Sequence, residues 1–292
     1  MKKLIQLLIL SVFFPIALFC YPGEVIDSMD LKYKCPTGLT HDGSNIWLAD
    51  RKADKIICIS VETGKEIKSI ESPAYWPMGL AWDGEYLWNT DEKTKQIYKV
   101  DPESGTVLKR LSYPGGSPRD IAWDGKYLWI ADDQQDKIYQ LSSSDGTTIK
   151  TLPAPSSDIR GLSFDGQYLW CSDRIEDEIY MVSPESGTVI IITKAPGPFT
   201  RGLAFSENRL WAVDYQKDKL YNLIRKDDDK FIRTDKRKAK IRYTHQIKNF
   251  GPGKIKTADI HIAIPKNRDN QKISSIEHDK NKKPNAIVTD RW

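Results

Sequence analysis

The chain is poor in the residues that most often carry chemistry. It has four histidines, His41, His245, His261 and His278, and four cysteines, Cys20, Cys35, Cys58 and Cys171. No two cysteines form a C-x-x-C pair, which leaves a zinc site unsupported, and no metal ligand is assigned. Beyond Cys20 the cysteine count is odd, so at least one thiol is free or pairs between chains. There is no G-x-S-x-G, no P-loop and no H-E-x-x-H. The sequence therefore assigns no catalytic residue and requires no cofactor.

Long apolar runs are also scarce. The exception is Leu4 to Phe19, behind Lys2 and Lys3 and broken by Gln6 and Ser11. Sixteen residues are short for a membrane span, and the basic start makes residues 1–20 an expected export signal. Its end, "ALFCYPGE", has two readings. Cleavage after Cys20 would free a soluble protein; lipid attachment on Cys20 would anchor a periplasmic or cell-surface lipoprotein to the membrane.

What is present is enough for a packed core: 39% hydrophobic and 10% aromatic residues exclude a chain that is disordered throughout. Charge is divided. From Arg225 to Trp292 there are 19 Lys/Arg against 9 Asp/Glu, whereas residues 21–224 hold 23 against 31. Two segments with different compositions imply two segments with different jobs.

The acidic segment is repetitive. Trp47, Trp88, Trp129, Trp170 and Trp211 stand 41 residues apart. Six places earlier come His41, Trp82, Trp123, Phe164 and Phe205; three places later come Asp50, Asp91, Asp132, Asp173 and Asp214. Each copy reads as four short strands, with an Asp-Gly hairpin turn such as Asp83-Gly84 or Asp124-Gly125 and a later "PESG"-type turn. Four antiparallel strands per 41 residues is the pattern of a β-propeller blade. The fifth copy lacks a fourth strand, and "GEVIDSMDLKYKCPTGL" (Gly23 to Leu39) aligns without a gap on Gly105 to Ile121. The N-terminal strand is therefore expected to complete the last blade, closing a five-bladed all-β propeller over residues 21–224. The tryptophans are read as wedges between blades. The repeat aspartates are read as acceptors of backbone hydrogen bonds in the link after each second strand.

Function is sought in residues that break or exceed this pattern. Arg119, Arg160 and Arg201 stand 41 apart at the entrances of three first strands, where the first two blades have Thr37 and Met78. They would converge near the central channel, either trapping a carboxylate or phosphate or pairing with repeat aspartates. The variable links on the same face add Tyr33, Tyr75, Trp76, Tyr113 and Phe199. Arginines among aromatics fit a surface for a protein, peptide or glycan. The binding residues expected are Arg119, Arg160, Arg201, Trp76, Tyr75, Tyr113 and Phe199. His41 is read as a packing residue.

With its "YLWIAD" and "IYKVDPESG" strands, the repeat segment resembles exported bacterial repeat propellers of the NHL and YVTN type. It is also similar to plant-type glutaminyl cyclotransferases, whose "FTQGL" strand is matched by "FTRGL" at Phe199 to Leu203. In that family a catalytic glutamate follows in the next strand; here the matching strand is "RLWAVDY", with Ala212 and Val213 where the acid would stand.

After a basic linker, 225–240, residues 241–292 alternate polar and apolar around a Gly-Pro-Gly turn. The segments "YTHQIKN", "IHIAIPKNRDNQKI" and "TDRW" resemble the β-module ahead of the Cys-His-Asp core of transglutaminase-like, papain-like cysteine hydrolases. The resemblance implies an incomplete β-sandwich-like module here, and a reading in which this chain is the front of such a hydrolase. The cluster "RTDKRKAKIR" is read as a solvated strand edge rather than a nucleic-acid site. The function expected is a non-enzymatic exported binding or scaffold propeller.

Overall fold

The Asp-Gly turns set the fold locally. In "WDGKYLW" the Asp124 carboxylate folds back on its own turn: Oδ1 accepts the N–H groups of Lys126 at 2.9 Å and Tyr127 at 2.6 Å. Oδ2 accepts the indole N–H of Trp129 at 2.7 Å. The same indole-to-turn bond recurs at Trp47, Trp88 and Trp170, and Trp211 donates to Ser206 Oγ instead, at 3.0 Å. One carboxylate thus sets both the hairpin and the orientation of the tryptophan. Asp124→Ala is expected to cost about 2 kcal/mol, because the half-buried N–H groups of Tyr127 and Trp129 lose their acceptor together with the exposed one of Lys126. Urea unfolding followed by tryptophan fluorescence measures it; an unchanged midpoint would remove this role from the turn aspartates.

The computed structural model describes residues 22–207, 209–225 and 275. Over them the chain forms strands and turns and no helix. Five four-stranded antiparallel sheets follow one another. Their innermost strands are Pro36–His41, Pro77–Trp82, Pro118–Trp123, Ile159–Phe164 and Thr200–Ser206. The last sheet is completed from the other end of the chain. Val25–Asp30 pairs antiparallel with Lys219–Ile224, from Val25 opposite Leu223 to Asp30 opposite Lys219. Lys219 Nζ and Asp30 also meet at 2.8 Å. The expected closure by the N-terminal strand is what is seen, and it leaves no blade lacking an outer strand.

Each repeat tryptophan packs into the following blade. Trp129 lies among Leu162, Leu169 and Cys171; Trp88 among Ile121, Leu128 and Ile130; Trp211, at the closure, among Leu39, Ile46 and Leu48. Four of the five are at most 2% exposed. Removing one such ring from a packed interface costs about 3–5 kcal/mol, so these side chains hold blade to blade and are not available to a ligand. The three thiols described, Cys35, Cys58 and Cys171, are free and buried. Burial pushes the Cys58 thiol up to about 11 and raises that of Cys171 as well.

Residues 1–20, expected to be an export signal ending at Cys20, the expected module 241–292 and all of the basic linker 225–240 except Arg225 lie outside the described residues, apart from Ser275. Arg225 is held at the end of the last blade, where its guanidinium meets the Asp165 carboxylate at 3.1 Å and the Asp165 carbonyl at 2.9 Å.

Candidate functional site at the channel mouth

The innermost strand of each blade has no strand neighbour on its inner side, so its inward N–H groups need acceptors from elsewhere. The five strands also approach closely. A methyl group on Gly79 would stand 2.5 Å from Asp120 Cα, and one on Gly161 would collide with the Arg201 carbonyl. Glycine holds this column in four blades (Gly38, Gly79, Gly161 and Gly202), and Asp120 holds it in the third. Asp120 is the one side chain in the layer beyond a hydrogen, and it is completely buried. Its Oδ1 accepts the N–H groups of Ile121 at 2.9 Å and Leu80 at 3.3 Å, and Oδ2 that of Leu162 at 2.8 Å. Leu203 N–H is a fourth donor. A single carboxylate thus joins four of the five blades at the axis. Burial pushes the Asp120 carboxyl well above the ordinary carboxylate range, and the four N–H groups pull it back. This residue was missed from the sequence. The signal was there, as the only break in a column of glycines.

Above this layer the repeat aspartates hold the face together. Asp132 Oδ1 accepts the N–H groups of Gln134 and Gln135 in the link after its own strand, both at 2.9 Å. Its Oδ2 accepts Gly116 at 2.6 Å and Ser117 at 3.0 Å in the link from the previous blade. Asp50, Asp91, Asp173 and Asp214 make the equivalent bonds to one or both links. The backbone-acceptor reading holds, and these carboxylates are used up by it.

The arginines sit in this face, but not with the partners expected. Arg119 meets Glu92 at 2.6 Å and Asp133 at 2.7 Å. Arg160 meets Asp133 at 3.0 Å and also Asp158, which Arg174 reaches at 2.7 Å. None of these acids is a repeat aspartate: Glu92 and Asp133 are the residues that follow one, and Asp158 lies in a link. The six side chains form one alternating chain of three positive and three negative charges across blades two, three and four. As anion traps Arg119 and Arg160 are therefore corrected; each already holds two carboxylates.

Arg201 is different. It is 7% exposed, and although the Nε atoms of all three arginines are buried without a hydrogen-bond partner, Arg201 alone also lacks a carboxylate. Among the described residues it makes no ion pair; its guanidinium carbon lies 4.0 Å from the ring centroid of Tyr215. Tyr215 occupies the column that holds Glu92 and Asp133 in blades two and three. Burial lowers the Arg201 guanidinium from the ordinary arginine value, Arg160 and Arg51 push the same way, and Cys35 and Tyr215 oppose them. An arginine nonetheless stays charged at neutral pH. Arg51, in the same column of blade one, also has no ion pair among the described residues and lies 5.7 Å from the Trp76 ring.

The aromatics divide in the same way. Tyr75 and Trp76 are 66% and 43% exposed, with Lys93 near both rings, 5.1 Å and 6.0 Å from their centroids. Phe199 is half-buried and packs edge-on against Tyr215 at 5.5 Å. Tyr113 does not belong with them. It is buried in the core, donates its hydroxyl to Asp132 at 2.9 Å and packs edge-on against Tyr139. The link folds inward there because Gly115 leaves room for the ring, where a methyl group would stand 2.6 Å from Tyr113 Cζ. His41 is half-buried; its Nδ1 accepts the Gly43 N–H, and burial holds its pKa down.

Fold and site together define a five-bladed β-propeller with a cationic, aromatic-walled mouth at blades five, one and two. No family model matches the chain, and no curated protein matches it. Among solved structures it is similar to the glutaminyl cyclase of Myxococcus xanthus, at 13% identity and a TM-score of 0.62 over 70% of this chain and 97% of that one. That likeness establishes the propeller fold. The virginiamycin B lyase of Staphylococcus aureus aligns more loosely, with 16% identity and a TM-score of 0.46 over 68% of this chain and 98% of that one.

Proposed function

We propose that the propeller is a binding module of an exported protein, and that Arg201 with Arg51 takes an anionic group of a peptide, protein or glycan partner at the channel mouth. One observation carries this. Three arginines occupy one column; two hold two carboxylates each, and the third is as buried as they are and holds none. Burying an uncompensated charge is costly, so a carboxylate supplied from outside is the economical complement, and a guanidinium matches it bidentately. Trp76, Tyr75 and Phe199 would form the walls around it.

Titration of the whole protein with hexaglutamate, and with hexaglutamine as the neutral control, tests this. Hexaglutamate should bind, and Arg201→Met should weaken it at least tenfold, while hexaglutamine should stay silent. Equal binding of the two peptides would remove the anion-binding role.

Glutaminyl cyclotransferase activity is the second reading, favoured by the shared fold. The strand that would carry the family's acid lacks one at its place: Ala212 and Val213 are fully buried and apolar, and Asp120 nearby in the channel is sealed by backbone N–H groups. Release of ammonia from a peptide headed by glutamine would establish it against these observations.

A further inference from the structure

We infer that the partner is an acidic polypeptide segment in extended form, running from the Arg51 and Arg201 pair outward along a groove on blade one. The inference rests on the binding role above. The groove has a volume of about 390 Å³ and is lined by Lys32, Tyr33, Lys34, Asp50, Lys52 and Ala53. It is continuous in the chain with the mouth, since Asp50 and Lys52 bracket Arg51, and Lys34 precedes Cys35, whose carbonyl accepts the Arg51 N–H at 3.1 Å.

The charges of this half of the face are unbalanced. Arg51, Lys52, Lys93 and Arg201 make no ion pair among the described residues, in contrast to the alternating chain on blades two to four. The acid in the groove cannot offset them by direct pairing. Asp50 accepts backbone N–H groups at both oxygens, from Lys34 at 3.3 Å, Lys52 at 2.9 Å and Ala53 at 3.2 Å. Lys32 and Lys34 do have partners, Glu66 at 3.2 Å and Asp218 at 3.5 Å. Both lysine side chains remain about two-thirds exposed, 70% and 68%, so they can exchange those partners for a ligand's carboxylates.

The aromatic rings favour a peptide over a sugar chain or a nucleic acid. Sugars and bases bind through free ring faces on which they stack. Here Trp76 has both Arg51 and Lys93 over its ring, and Tyr215 has Arg201 on one face and the Phe199 edge beside it. Trp76 and Tyr215 thus position cations, and Tyr75, 66% exposed with Lys93 5.1 Å from its centroid, is the one ring left as a platform among those at the mouth. An acidic peptide needs only the cations. In extended form it rises about 3.3 Å per residue, so six residues span about 20 Å, enough to run from a channel mouth to a blade rim.

The test uses the full chain and two probes, hexaglutamate and an oligogalacturonate of matched charge, by calorimetry at low ionic strength. Hexaglutamate should bind more tightly than the oligogalacturonate. Lys34→Glu with Lys52→Glu, both at exposed positions, should weaken hexaglutamate roughly tenfold and leave the unfolding midpoint in place. Raising the salt should weaken binding, as expected of exposed charges. Oligogalacturonate binding as tightly as hexaglutamate or tighter would overturn the peptide assignment and leave the anion site standing. Hexaglutamate binding that ignores the double charge reversal would overturn the groove path. Failure of both probes on the unaltered protein would remove the binding role itself.

Discussion

Asp120→Asn should lower the free energy of unfolding by about 3 kcal/mol, and Asp120→Gly by more, although glycine is what every other blade has at this position. The reason is the geometry at the axis. Ile121 and Leu80 donate to one carboxylate oxygen and Leu162 to the other, and the Leu203 N–H also stabilises the carboxylate. An amide offers one acceptor and one donor, so whichever way it turns, N–H faces N–H on one side. Leaving a buried N–H without an acceptor costs about 1–3 kcal/mol. Glycine leaves all four unanswered. The other glycines of the column give no relief, because the blades already touch there; a methyl on Gly38 or Gly202 would meet backbone of the adjoining blade. Urea unfolding followed by the fluorescence of the nine tryptophans is the measurement. If Asp120→Gly unfolds at the midpoint of the unaltered protein, Asp120 is not what joins the blades.

The architecture was legible in the sequence because each repeated residue does a local job. A turn aspartate bonds residues two and three places on, a tryptophan packs one blade along, and an identical job recurs every 41 residues. Even the closure by Val25–Asp30 could be read, since the N-terminal strand keeps the register of the outer strands. The site was less legible for a physical reason. The partner of an arginine on the face depends on what the neighbouring blade places beside it. That column reads Arg51, Glu92, Asp133, Arg174, Tyr215, and it becomes informative only when laid against the column of Arg119, Arg160 and Arg201. Arg119 and Arg160 face acids, and Arg201 faces a ring. Arg51 went unnoticed in the charge of "RKADK", where nothing local marks it. Tyr113 was misplaced because links were assumed to face solvent, whereas Gly115 beside it lets the ring turn into the core.

The two arginines should respond to the same substitution with opposite signs. Arg160→Met is expected to cost about 2–3 kcal/mol, because Asp158 and Asp133 each lose a charged hydrogen-bond partner in a buried site and keep only Arg174 and Arg119. Both acids are at least as buried as the arginine, with side chains 7% and 10% exposed against 10%. Arg201→Met strands no carboxylate among the described residues. It removes a buried charge that no carboxylate answers, and the thioether can take the guanidinium's place against Tyr215. The lost cation–π contact offsets part of the gain, at about 1–2 kcal/mol. The expected result is a free energy of unfolding unchanged or raised by up to about 2 kcal/mol, together with the loss of hexaglutamate binding. A residue whose removal stabilises the fold while abolishing a ligand is held there by function, because activity and stability commonly trade at such positions. If Arg201→Met falls as far as Arg160→Met, the arginine has a structural partner and the mouth of the channel is part of the scaffold.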